Sequence, residues 1–337
     1  MRVALLLLSF FACASTGDGP LVAAMVVALE KVGGRIDHLA FDAERSRLYV
    51  CALGNGSVEV VDVAKGAVVK SLAKLEEPQG VVAIPVKKQF AVASGGDGTL
   101  RIFDAESFAE VKRLDAGDDA DNVRLDPKGA PDPKGANVAK VARVWVACGD
   151  GLAAFAVDDW KRVATVKLAG HAESFQLESD GPRLFANVPG ARHVAVVDRE
   201  KGAVVATWPL DGASSNYPMA LDEKGGRLYV GCRSPAEVIA LDVQSGKVVA
   251  KAPIGGDCDD LFLDAARNVL YASCGEGCIS VVSIGKDGAL ASVDKVETPS
   301  GARTSLFVPA LEKLFVAVPK RGSSGAELRV FSASGAR

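Results

Sequence analysis

The chain has 337 residues, 49% of them hydrophobic but only 6% aromatic, and a formal net charge of −3. That balance supplies ample material for a core of mostly Val, Ala and Leu. It excludes the broad basic footprint that nucleic acid or an anionic membrane surface would require, and three histidines leave little for a His-rich metal centre.

The N-terminus reads as an export signal. Arg2 provides a short positive region, and Val3 through Phe11 form an apolar core too short to span a bilayer. Ala12-Cys13-Ala14 offers a small-x-small cleavage site, so residues 1–14 are predicted to leave and residues 15–337 to form one domain. Cys13 also fits a bacterial lipoprotein cysteine, which would be the sole membrane attachment. Either reading places the mature protein in the periplasm or outside the cell, where disulfides are permitted.

Val22 through Leu29 has the character of an outer β-strand with no partner nearby in sequence. From residue 33 onward a unit of roughly 40 residues returns about seven times, a period typical of propellers and solenoids. Its second strand ends alike in Leu48-Tyr49-Val50, Leu228-Tyr229-Val230, Leu270-Tyr271-Ala272 and Leu314-Phe315-Val316. Its third strand closes on an aspartate at Asp62, Asp104, Asp198 and Asp242. Gly-rich turns such as Gly95-Gly96-Asp97-Gly98 separate the two, as tight hairpins require. Even strand spacing of this kind is an all-β signal rather than a βαβ one.

The units fall at about 33–72, 75–114, 115–168, 169–210, 211–254, 255–296 and 297–337. The third is lengthened by a polar, Pro-rich turn, Asp126 through Gly135, which reads as a mobile loop. The seventh has only three strands, over Thr304–Pro309, Lys313–Pro319 and Glu327–Ser332. The orphan strand Val22–Leu29 supplies its fourth. The prediction is therefore an all-β, seven-bladed β-propeller of four-stranded antiparallel blades, closed by an N-terminal strand that completes the last blade and removes exposed sheet edges.

These repeats resemble the YVTN-type (YncE-like) β-propeller repeats of exported bacterial proteins. The Tyr-Val half of the signature stands at Tyr49-Val50 and Tyr229-Val230, while the Thr-Asn half is replaced. The resemblance covers nearly all of the mature chain. It implies a binding or scaffold module and brings no catalytic residue set.

Aligning the innermost strands gives a ring of equivalent positions: Asp37, Gly80, Asp121, Glu173, Tyr217, Asp259 and Thr304. The next ring holds His38, Asn122, Ser174, Asp260 and Ser305, with His171 and Arg303 close by in sequence. Asp37, His38, Asp121, Asn122, Glu173, Tyr217, Asp259, Asp260 and Arg303 are therefore the candidate ligand residues at the channel mouth. Four carboxylates, Asp37, Asp121, Glu173 and Asp259, are the candidate ligands for Ca²⁺ or another divalent cation, because hard cations take oxygen donors. The plain alternative is a water-filled channel with solvated strand ends. His38 and His171 fall in blades on nearly opposite sides of the ring, which argues against a paired acid–base role.

Cys258, Cys274 and Cys278 should meet on the same face. In an oxidising compartment they are expected to contain a disulfide; a soft-metal thiolate site is the sharper alternative. Cys51, Cys148 and Cys232 read as small core residues. Functionally the sequence points to an exported, non-catalytic propeller that binds a small polar ligand or a partner protein. Its rival is a cation-dependent hydrolase of the lactonase type with a carboxylate-lined channel.

Overall fold

The computed structural model describes residues 19–130, 141–210 and 212–335. The predicted export segment with Cys13, and the part of the extended turn beyond residue 130, lie outside them. Seven four-stranded antiparallel sheets make up the described residues. Strand β1 (Leu21–Leu29) comes first. Blade one is β2 (Leu39–Asp42), β3 (Arg47–Ala52), β4 (Ser57–Asp62) and β5 (Ala67–Ala73). Blade two is β6 (Pro78–Ile84), β7 (Gln89–Ser94), β8 (Thr99–Asp104) and β9 (Glu110–Asp115). Blade three is β10 (Val123–Ala130), β11 (Val141–Cys148), β12 (Gly151–Ala156) and β13 (Arg162–Lys167). Blade four is β14 (Phe175–Leu177), β15 (Arg183–Val188), β16 (His193–Asp198) and β17 (Ala203–Pro209). Blade five is β18 (Ser214–Asp222), β19 (Arg227–Ser234), β20 (Ala236–Asp242) and β21 (Val248–Pro253). Blade six is β22 (Cys258–Asp264), β23 (Val269–Cys274), β24 (Cys278–Ile284) and β25 (Leu290–Glu297). Blade seven joins β26 (Ser305–Val308), β27 (Lys313–Val318) and β28 (Ala326–Ala333) to β1, in the order β1-β28-β27-β26.

The burial pattern explains the sequence markers. The second and third strands of each blade are covered on both faces by neighbouring blades, so they read as continuous apolar runs rather than alternating ones. In β3, Leu48 through Ala52 are all fully buried. Outer strands face water, and β5 buries only Leu72. The marker tyrosine needs a partner for its hydroxyl once buried. Tyr49 donates to Asp42 Oδ2 at 3.3 Å and Tyr271 to Asp264 Oδ2 at 3.1 Å, each linking the second strand to the end of the first. The closing aspartates of the third strands hold the following turns: Asp62 Oδ1 accepts from the Lys65 amide at 2.9 Å, and Asp104 Oδ1 from the Ser107 amide at 2.7 Å.

Ring closure follows the predicted scheme. β1 pairs with β28 from Leu21↔Ala333 to Leu29↔Ala326. One apolar cluster runs from Val27 and Leu29 through Leu328 to Leu48 and Val50, welding blade seven to blade one. Thr304 Oγ1 donates to the Ile36 carbonyl across the same seam at 3.2 Å.

One close approach fixes where the channel residues stand. A Cβ on Gly80 would lie 2.1 Å from the Asp121 carbonyl oxygen and 2.9 Å from Val123 Cγ2. That backbone is held in turn, because the Asp121 amide donates to the Ala147 carbonyl at 2.9 Å. Gly80→Ala is therefore expected to cost about 1–3 kcal/mol as an overpacking change. Urea unfolding should show a lower midpoint with an unchanged slope; an unchanged midpoint would mean that blades two and three are not locked here.

Candidate functional site

The innermost strands are short and converge at one end on a polar cavity of about 450 Å³. Asp37, His38, Asp121, Asn122, Glu173, Tyr217, Asp259 and Arg303 all line it. Asp260 does not; it lies buried beneath, where its Oδ2 accepts from the Ser305 amide at 2.7 Å. In blade two the inward position belongs to Gln79 and not to the aligned Gly80: Gly80 pairs with Ala93 as Asp260 pairs with Ser273 in blade six, so Gln79 is the counterpart of Asp259.

The carboxylates are not at solvated strand ends, as the ring alignment suggested. Asp37 is 4% exposed and Asp121 7%. The ring is narrow enough for neighbouring blades to cover both. They also differ in partners. Asp259 is committed to cations: Arg303 Nε lies 3.0 Å from its Oδ2, and Arg233 contacts its Oδ1. The same two arginines clamp Asp257, and the Arg233 guanidinium stacks 3.8 Å from the centre of the Tyr217 ring. Asp37 receives Arg35 at 2.6 Å. Only Arg303 of these arginines was legible as a site residue; Arg35 and Arg233 lie outside the aligned columns.

The other half of the cavity centres on Asp121. Histidines from distant blades reach its two oxygens: His38 Nε2 is 3.7 Å from Oδ1 and His171 Nε2 is 3.8 Å from Oδ2. Their places around the ring therefore do not keep them apart. His171 Nδ1 donates to the Gly149 carbonyl at 3.0 Å, which leaves Nε2 toward Asp121. Asp37, His38 and Asp121 form the group able to share a metal ion, each offering an atom within 4.8 Å of the others. Glu173 and Asp259 fall outside that group, so the four-carboxylate set is replaced by a mixed oxygen and nitrogen one. Asp121 Oδ1 and Asn122 Oδ1 are buried and have no hydrogen-bond partner among the described residues.

Burial and crowding of charge move the titrations here. Burial foremost, then the negative charge of Asp121, lifts Glu173 to about 7. Burial likewise lifts Asp260 to about 7 and raises Asp37. Burial alone would lower the two histidines, but the carboxylates around them prevail. His38 is raised by Asp37, Asp260 and Asp121, and His171 reaches about 9 beside Asp121, Asp119 and Glu173.

The three cysteines of blade six meet as expected, but without a disulfide: Cys258, Cys274 and Cys278 are free, as are Cys51, Cys148 and Cys232. Cys258 and Cys278 each face Cys274 as its register partner on an adjacent strand. Register partners hold their Cβ atoms about 4.5–5.5 Å apart, wider than the roughly 3.8 Å usual for a disulfide.

The architecture defines a seven-bladed β-propeller with an acidic, histidine-bearing channel mouth. No family model matches the sequence, and no curated protein matches it either. Among solved structures it is similar to a chain of Kuenenia stuttgartiensis hydrazine synthase, with a TM-score of 0.72 and 16% sequence identity over 86% of this chain and 94% of that one. At that identity the likeness establishes the fold alone.

Proposed function

We propose that the protein is an exported, non-catalytic binding propeller whose channel mouth holds a divalent cation and, through it, a small polar ligand or a polar surface of a partner protein. The observation that carries this reading is the pair of buried acceptors without donors, Asp121 Oδ1 and Asn122 Oδ1, beside the Asp37–His38–Asp121 group. Buried acceptors of this kind are costly unless satisfied, and a cation satisfies both. Asn122 Nδ2 lies 2.9 Å from His38 Nε2. A cation that takes the Nε2 lone pair would replace that contact and lie between Asp37 and Asp121, whose nearer oxygens stand 3.6 and 3.7 Å from Nε2. The imidazole widens the choice beyond Ca²⁺ to Mn²⁺ or Zn²⁺. Export is supported by Arg2 and the apolar run Val3–Phe11, and the family resemblance rests on the Tyr-Val markers.

Calorimetric titration of the mature protein with Ca²⁺, Mn²⁺ and Zn²⁺ tests the proposal. One ion should bind per chain, and Asp121→Asn should weaken binding at least tenfold while the fold persists. Because protons compete for His38, affinity should be higher at pH 8 than at pH 6, with net proton release on binding. If no cation binds at millimolar concentration, the mouth is a water-filled channel end.

Glu173 favours a second reading, a lactonase-like hydrolase, since a carboxyl titrating at about 7 can exchange a proton near neutral pH. Cation-dependent turnover of a lactone panel, lost in both Asp121→Asn and Glu173→Gln, would support it; no turnover leaves binding alone.

A further inference from the structure

The thiols of blade six form a second site, separate in chemistry from the channel mouth. We propose that Cys274, together with Cys258 on one side or Cys278 on the other, forms a buried thiolate site for a soft monovalent metal ion, Cu(I) being the biological representative.

All three thiols are fully buried and free. Cys274 sits on the middle strand β23, in register with Cys258 on β22 and with Cys278 on β24. Two metal–sulfur bonds of about 2.3 Å span roughly 4–4.6 Å between sulfurs. Facing residues on adjacent strands suit that span better than a direct sulfur–sulfur bond. The surroundings are soft: the thiols belong to an apolar cluster with Ala252, Leu261 and Ala272. Thiolates in an apolar shell select Cu(I) over hard cations.

A second layer is also in place. Ser280 Oγ accepts from the Gly255 amide at 3.0 Å, which frees its own proton for the sulfurs. The same oxygen stands 4.0 Å from both Cys274 Sγ and Cys278 Sγ. Such outer hydrogen bonds orient ligands and tune a metal site. Gly255 closes over the pair: a Cβ there would lie 2.5 Å from Cys278 Sγ and 3.3 Å from Cys274 Sγ. Hydrogen bonding, from Cys258 first and then Ser280 and Cys278, lowers the pKa of Cys274, whereas Cys258 and Cys278 are both raised. Because it alone is in register with both of the others, Cys274 is the shared ligand and either neighbour the second. The balance is Cu⁺ + 2 RSH → [Cu(SR)₂]⁻ + 2 H⁺. Lys295, whose positive charge acts on Cys278, offsets part of the resulting negative charge.

The test uses mature protein, fully reduced and handled without oxygen, titrated with Cu(I) against the chromophoric chelator bicinchoninate. One Cu(I) per chain should be withdrawn from the chelator, and the copper absorption edge should report sulfur ligands alone. Cys274→Ser should weaken uptake by more than about 100-fold, beyond what loss of a supporting hydrogen bond does. Cys258→Ser and Cys278→Ser should each retain binding, and the double variant should lose it. Cys232→Ser is the control for a buried thiol elsewhere. Should Cys274→Ser fail to fold, the Cys258→Ser/Cys278→Ser double variant decides in its place, since it leaves Cys274 without a second thiol and must lose Cu(I) uptake. The proposal is overturned if the parent withdraws no Cu(I), or if Cys274→Ser or the double variant withdraws as much as the parent.

Discussion

Removing residues 20–30 is expected to abolish cooperative folding. β1 belongs to two seams at once. Val27 and Leu29 pack in the cluster between blades seven and one, and Leu21 packs with Tyr271, Ile279 and Phe307 between blades six and seven. Each of these three buried aliphatics contributes about 1.5–3 kcal/mol. The deletion also strips β28 of its ladder partner along its whole length. The combined loss approaches the 5–15 kcal/mol that holds a typical domain. Thermal unfolding followed by circular dichroism should lose its sharp transition, and a synthetic peptide of residues 20–30 should restore it. Val26, which is 58% exposed on the same strand, is the control: Val26→Thr should change stability by about 0.5 kcal/mol or less. A truncated protein that melts like the parent would refute ring closure by β1.

Glu173→Gln is expected to stabilise the metal-free protein, and more so at higher pH. The folded state holds Glu173 at about 7, above its ordinary carboxylate value of 4.5. Between those values the folded state binds more protons than the unfolded one, so stability falls as pH rises through the window. His171, lifted from 6.5 to about 9, acts in the same direction over the next interval. A shift of one unit is about 1.4 kcal/mol, and solvent reaching a half-buried carboxyl reduces the total for Glu173 to about 2 kcal/mol. In EDTA, the parent should therefore lose stability from pH 5 to pH 8, and Glu173→Gln should flatten the first part of that decline. Parallel profiles for the two proteins would show that Glu173 ionises freely in the cavity.

The blades were legible because each one solves the same burial problem with the same residues. Leu48-Tyr49-Val50 and its relatives mark strands covered on both faces, and Asp62 and its relatives mark a turn. The missing strand of the seventh unit and the spare strand before the first identified each other. The site was legible only as a column of equivalent positions. That column contained Asp37, Asp121, Glu173 and Asp259, but it ran one residue late in blade two, where Gln79 and not Gly80 matches Asp259. Depth was hidden, since strand starts look solvated until neighbouring blades close over them. So was pairing: Arg233 leaves the end of β19 and crosses to Asp257 and Asp259, a contact between blades that no repeat records. For the cysteines, strand order told which would face each other, whereas their separation depended on the ladder itself.

The pairing of β1 with β28 also bears on the order of events during synthesis. Of the described strands, β1 is made first and must wait for β28, and Ser334 Oγ reaches back to the Gly19 carbonyl across that full separation. Contacts so distant in sequence form slowly. Until β28 arrives, the nascent chain carries β1 as a loose apolar ribbon and leaves an unpaired sheet edge in blade seven, a state open to pairing with other copies. The strand that protects the finished ring is thus the segment that leaves the unfinished chain most exposed.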